Sequence, residues 1–128
     1  MLNRVAVTGG TGSFGQAFVR RLLKDGAERI VIVSRDEVKQ GEMSDGLSNP
    51  EQCRFLLGDV RDVRRLRQCF TGVDVVVHAA ALKRVSSVYS QPEMVKTNIW
   101  GTMNVIEAAL EAGVSRVVVI SSDKAVEP

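Results

Sequence analysis

Five short apolar runs punctuate the chain, at Val5 to Thr8, Ile30 to Val33, Phe55 to Leu57, Val73 to Val77 and Val117 to Ile120. They are rich in β-branched residues and almost continuously apolar, as expected of strands covered on both faces in a parallel sheet; a sheet with one wet face alternates instead. Helical periodicity fills the intervals. Phe14, Phe18 and Leu22 recur at helical spacing, and Gly26 stands just beyond Lys24, where a glycine ends a helix. Ser90 and Glu93, three apart with Pro92 between them, make a capping box that opens a long helix. Val95, Ile99, Met103, Ile106 and Leu110 then form one apolar stripe, read as core packing, and Gly113 closes the element. The pattern is weakest from Asp36 to Asn49, where Gly41 and Gly46 interrupt it; a helix from Asp36 to about Met43 and then a loop are predicted.

Five strands joined by four crossovers, each right-handed by rule, predict an α/β fold with a doubly wound parallel sheet of Rossmann type. Ligands in such sheets sit at the carboxyl ends of the strands, so chemistry is sought directly after each run. Composition narrows the classes further. The 128 residues are 45% apolar and 25% charged, ordinary globular usage for a single domain. A formal charge of +2 is far from the concentrated basic field that nucleic acid requires, so no nucleic-acid partner is expected. No apolar run reaches the ~18 residues of a membrane span. The opening Met1-Leu2-Asn3-Arg4 is unlike a cleavable signal, and a cytoplasmic location is expected. Cys53 and Cys69 match no zinc or redox spacing; they read as reduced thiols, with no metal site.

The first run ends in TGGTGSFG, Thr8 to Gly15. Gly9 permits a tight turn, Gly12 lets peptide N–H groups approach a pyrophosphate, and Gly15 lets the helix pack closely. Ser13 and Phe14 open that helix, whose N-terminus favours an anion. The second run leads to Ser34, Arg35 and, one turn further, Lys39, where a NAD site usually carries a carboxylate. A hydroxyl and a guanidinium suit a 2′-phosphate better, so the cofactor is expected to be NADP. Asp59, followed by Val60, stands where an adenine edge can be read, and Asp62 is an N-cap candidate. Beyond the fourth run come His78, open to a structural role or a general-base role, and the small residues Ala79, Ala80 and Ala81, against which a nicotinamide ribose can lie. Lys83 follows as a contact for an anion. The last run delivers Ser121, Ser122, Asp123 and Lys124, an acid and a base side by side at a strand end, suited to proton transfer beside a hydride acceptor.

The blocks TGGTGSFGQAFVRRLL, SRDEVKQGEM, RFLLGDVRD, HAAALKRV, KTNIWGTMNVIEAA and SSDKAVEP, in that order, resemble the soluble inverting UDP-N-acetylglucosamine 4,6-dehydratases, NADP-dependent members of the extended short-chain dehydrogenase group. The resemblance covers nearly the whole chain. It implies a redox-neutral lyase: C4 of the sugar is oxidised by NADP⁺, water leaves across C5 and C6, and hydride returns to C6 with inversion at C5. It makes Asp123 the acid assisting departure of the C6 hydroxyl and Lys124 the base removing the C5 proton. Ser122 stands in place of the usual Thr, and the resemblance gives Asn98 the task of holding the sheet and active-site waters in place. Ser86 and Tyr89 replace a Pro and a Glu common in the family.

The Tyr of the NLYG block, and the Lys four residues on, are not among the 128 residues. Residues 1–128 are therefore expected to form an incomplete NADP-binding domain that does not turn over unaided. UDP-N-acetylglucosamine or a similar nucleotide sugar is the expected substrate, with a homo-oligomer as a possible assembly. Two alternatives stand beside this reading: a UDP-sugar 4-epimerase of the same group, and a non-catalytic nucleotide-binding fragment.

Overall fold

The computed structural model describes residues 3–47, 50–79 and 91–120, backbone only at 50 and 91–97. Five strands, β1 (Arg4–Thr8), β2 (Arg29–Ser34), β3 (Cys53–Leu57), β4 (Val75–His78) and β5 (Arg116–Val119), alternate with the helices α1 (Ser13–Lys24), α2 (Glu37–Gly46), α3 (Val63–Cys69) and α4 (Gln91–Ala112). All four pairings are parallel, in the order β3-β2-β1-β4-β5. The chain thus steps outward from β1 to β3, then returns to the other side of β1 as β4, which opens a crevice at the carboxyl ends of β1 and β4. This is the doubly wound α/β sheet that the apolar runs predict.

Alternate residues of each strand feed two cores. Val5, Val7, Ile30 and Ile32 pack with Val19 and Leu22 of α1 and Met43 of α2. Ala6, Val31, Val33 and Val76 pack with Leu66, Cys69 and Phe70 on the α3 side and with Val105, Ala108 and Ala109 of α4. The expectation of strands covered on both faces holds for β1, β2 and β4 at the centre. It fails for β3 and β5, the edge strands, where Leu57, Val118 and Val119 are exposed.

Helix ends follow local chemistry. Asp36 and Asp62 cap α2 and α3 by accepting the amides of Lys39 and Arg65, each at 3.0 Å. Gly26, at φ +84°, follows α1 where the sequence placed its end. Helix α2 runs on through Gly41 to Gly46, three residues past the predicted stop at Met43. Its burial of Met43, with Leu47 beyond it, outweighs the weak helix propensity of two glycines.

The reading of the α4 stripe is corrected. Ile99, Met103, Ile106 and Leu110 are exposed, and the buried face is built from Gly101, Val105, Ala108 and Ala109. Small residues let α4 lie close to α3 and the sheet, so the large apolar side chains take the opposite face. Ser90 and the side chains of Glu93 and Val95 lie outside the described residues, and with them the capping box.

Candidate functional site

The glycine loop is built as a turn between β1 and α1. Gly9 has φ +70°, which only glycine adopts without strain, and its amide donates to the Val33 carbonyl at 2.9 Å, tying the loop to β2. A Cβ on Gly15 would fall against Gly10 and within 2.6 Å of the Gly9 carbonyl oxygen. Gly15 therefore packs on the glycine loop itself, a closer constraint than the helix-to-sheet contact expected. Gly12 is the N-cap of α1 and supplies no side-chain cap; the first turn holds no acidic residue, while Arg21 and Lys24 close the last turn. The opening N–H groups and the helix dipole are thus available to an anion, and the geometry fits a pyrophosphate. Ser13 and Phe14 are exposed there, Phe14 stacked on Phe18 with centroids 5.7 Å apart.

Two neighbours of this loop escaped the sequence reading. Gln16 Nε2 donates to the Thr11 carbonyl at 2.8 Å and braces the turn. Gly10 is needed because a Cβ there would meet the Ile32 side chain at 2.7 Å. Neither carries a sequence signal beyond its place in the motif.

Thr8 and His78 meet at the ends of β1 and β4. Thr8 Oγ1 lies 2.6 Å from His78 Nδ1, and both residues are 1% exposed. Burial pushes the imidazole below its ordinary range, so the ring is neutral and pins the two strands together. Of the two roles left open for His78, the structural one matches this setting. The unfolded chain takes up a proton near pH 6.5 that the folded chain refuses, so stability falls as pH drops below about 6.5, by up to about 1.4 kcal/mol per unit. His78 is the only histidine. Urea titrations from pH 7 to 5 should show this slope in the wild type and its disappearance in His78→Asn; an equal slope in both would refute the assignment.

At the end of β2, Ser34 is almost buried, and its Oγ takes an N–H from Gln40 at 2.8 Å. Arg35 and Lys39 are exposed beside it. Asp59, after β3, accepts from Arg61 through both carboxylate oxygens, at 3.1 and 2.8 Å, and lies 3.9 Å from Arg35 Nη1. The hydrogen bond from Arg61 holds its carboxyl down to about 2, so Asp59 is ionised throughout the neutral range. It binds the Arg61 guanidinium and stands within loose ion-pair distance of Arg35, a role that residue type alone did not reveal. Val60 is clamped from α4: Asn104 Nδ2 donates to its carbonyl at 2.9 Å, and a Cβ on Gly101 would strike its side chain at 2.7 Å. Asn98 sits half-buried on the same helix, and Ala79 is buried with its amide on the Thr8 carbonyl at 3.0 Å.

The structure brings together the glycine loop, Ser34, Arg35, Asp59, Val60 and Ala79 along the carboxyl ends of four parallel strands. Ala80, Ala81, Lys83, Ser121, Ser122, Asp123 and Lys124 lie outside the described residues. Among the described residues, no cluster of His, Cys, Asp or Glu could hold a metal ion, and no helix is long and apolar enough to cross a membrane.

Residues 5–128 match the polysaccharide biosynthesis protein family. The chain belongs to that family. It is 46% identical over 126 residues to a UDP-N-acetylglucosamine 4,6-dehydratase (inverting) of Campylobacter jejuni, covering 97% of this chain and 37% of that one. It is also 46% identical over 127 residues to a UDP-glucose 4-epimerase of Rickettsia rickettsii, covering 95% and 37%. Among solved structures, the dTDP-glucose 4,6-dehydratase DesIV from Streptomyces venezuelae, with NAD and TYD bound, superposes with a TM-score of 0.75 at 31% identity, over 89% of this chain and 38% of that one. The chain of this family member spans little more than a third of the curated relatives it matches.

Proposed function

We propose that the chain is the cofactor-binding part of a nucleotide-sugar 4,6-dehydratase that uses NADP and acts on UDP-N-acetylglucosamine. The observation that carries this is the strand-end surface itself: an uncapped helix N-terminus behind a glycine turn, and the Ser34 hydroxyl followed by the exposed Arg35 where an NAD site would carry a carboxylate. Similarity to the inverting dehydratase of Campylobacter jejuni supports the reaction class.

When bound, the coenzyme supplies reversible hydride acceptance, so that the reaction ends redox-neutral. The chain's own groups divide part of the remaining work. The α1 N-terminus holds the pyrophosphate, and Ser34 and Arg35 take the 2′-phosphate, with Lys39 one turn away. Thr8 and Ala79 line the strand ends beside the glycine loop, Ala80 and Ala81 are assigned to the nicotinamide ribose, and Asp59 holds Arg61. Asp123 gives a proton to the departing C6 hydroxyl, and Lys124 removes the proton on C5. Oxidation at C4 also releases the C4 hydroxyl proton, which the resemblance assigns to the Tyr of the NLYG block, not among the 128 residues; a proton returns to C5, and water is the one group lost.

The 4-epimerase is the second reading, favoured by equal identity to the Rickettsia rickettsii relative. A chimera joining residues 1–128 to the remainder of the Campylobacter dehydratase separates the two. With UDP-N-acetylglucosamine and NADP⁺ it should yield the 4-keto-6-deoxy sugar nucleotide, and Asp123→Asn should lower that rate about a hundredfold. A 4-epimer as sole product would replace this proposal with the second reading.

A further inference from the structure

Gln40 lies on the buried face of α2, three residues before Met43, and is 6% exposed. Its Nε2 is 2.8 Å from Ser34 Oγ, 2.9 Å from the Leu56 carbonyl oxygen and 3.5 Å from that of Ser34. A carbonyl oxygen only accepts, so the Leu56 contact fixes which end of the amide faces the strands. One N–H serves Leu56 and the other serves the Ser34 hydroxyl. That hydroxyl is thus engaged as an acceptor, and its own proton cannot point back at Gln40.

We propose that Gln40 is a positioning residue for coenzyme choice: it polarises the Ser34 hydroxyl as a donor at the carboxyl end of β2, toward an anionic phosphate oxygen. The inference rests on the reading that Ser34 and Arg35 receive the 2′-phosphate of NADP. A freely rotating hydroxyl can accept from a ribose 2′-hydroxyl as easily as it donates to a phosphate. A hydroxyl already holding an amide N–H donates more strongly, because hydrogen bonds in a chain polarise one another. Gln40 therefore separates NADP⁺ from NAD⁺ while touching neither. No motif of the glycine-loop kind marks it; the available sequence signal is a polar residue on the face that also buries Met43.

Calorimetric titration of the full chain with NADP⁺, NAD⁺ and adenosine 2′,5′-bisphosphate tests this in the wild type, Gln40→Met, Ser34→Ala and the double variant. Gln40→Met should weaken NADP⁺ and the bisphosphate about tenfold, the scale of one hydrogen bond to a charged group, while NAD⁺ changes less than twofold. In the Ser34→Ala background the same substitution should add nothing further. A purely structural role would lower both coenzymes alike, and that result, or an unchanged NADP⁺ affinity, overturns the proposal. Should Gln40→Met not fold, Gln40→Glu takes its place: its carboxylate accepts the Ser34 proton and turns the hydroxyl inward. The effect of its charge is read in the Ser34→Ala background, and a loss there equal to that in the wild type overturns the proposal. A wild type that binds NAD⁺ as tightly as NADP⁺ identifies failure of the underlying coenzyme reading instead.

Discussion

Replacing Gly15 by alanine is expected to cost about 3 kcal/mol of stability and, with it, most of the affinity for a dinucleotide. The new methyl would land on the backbone of Gly10, 2.6 Å from its carbonyl carbon and 2.6 Å from the Gly9 carbonyl oxygen. Backbone on that side leaves no flexible side-chain end to give way, so α1 must move. The same helix places Val19 and Leu22 in the core beside Val5 and Ile30, so its displacement opens that core and shifts the N–H groups at the N-terminus together. Gly41→Ala is the matched control. It lies inside α2 with nothing within 4 Å of its Cβ position, and alanine there should gain about 0.5–1 kcal/mol. Urea denaturation of the two variants checks both signs, and equal midpoints would remove the close-approach argument.

The sheet was legible because its signal is one-dimensional. A strand buried on both faces needs an unbroken apolar run, and Val5–Thr8 and Ile30–Val33 are too short and too rich in β-branched residues for a buried helix. The doubly wound class followed from the alternation of strands and helices with right-handed crossovers, whereas the order β3-β2-β1-β4-β5 came from the folded chain. The α4 stripe misled because periodicity shows that one face is apolar, not that this face is covered. Ile99, Met103 and Leu110 satisfy the period and stay exposed, while the helix buries Ala108 and Ala109, whose methyl groups barely register in an apolar count. Small size, which allows close approach to α3, was the stronger signal there.

The site was legible at its strand ends and opaque between them. Gly9, Ser34 and Asp59 could be named because each stands directly after an apolar run. Their partners could not. Gln40 reaches Leu56 across 16 positions and Asn104 reaches Val60 across 44, so only the folded chain joins them. Arg61 is the intermediate case: it sits two residues from Asp59, close enough for an Asx-type turn, yet nothing in residue type prefers it over Arg64 or Arg65 as the ion-pair partner.

The double variant Ser34→Asp with Arg35→Ala should lose about a hundredfold or more in NADP⁺ affinity while NAD⁺ binding holds or improves. Two charge-assisted contacts to the 2′-phosphate disappear together, each worth about 1.5–3 kcal/mol. The Arg35 side chain is 55% exposed and only loosely tied to Asp59 at 3.9 Å, so it is free to turn to a phosphate, and its loss leaves the Asp59–Arg61 pair intact. The introduced carboxylate falls where Gln40 already presents an N–H, which keeps it ionised; it then accepts from a ribose hydroxyl and repels a phosphate. Lys39 stays in place as an exposed cation one turn away, so a residual, salt-sensitive attraction for NADP⁺ should survive. Titrations at low and at physiological ionic strength separate the two parts: the wild-type preference should shrink with salt but persist, whereas the remnant in the double variant should vanish. An NADP⁺ affinity that ignores both substitutions would mean that the end of β2 does not meet the 2′-phosphate, and the preference would have to arise elsewhere on the chain.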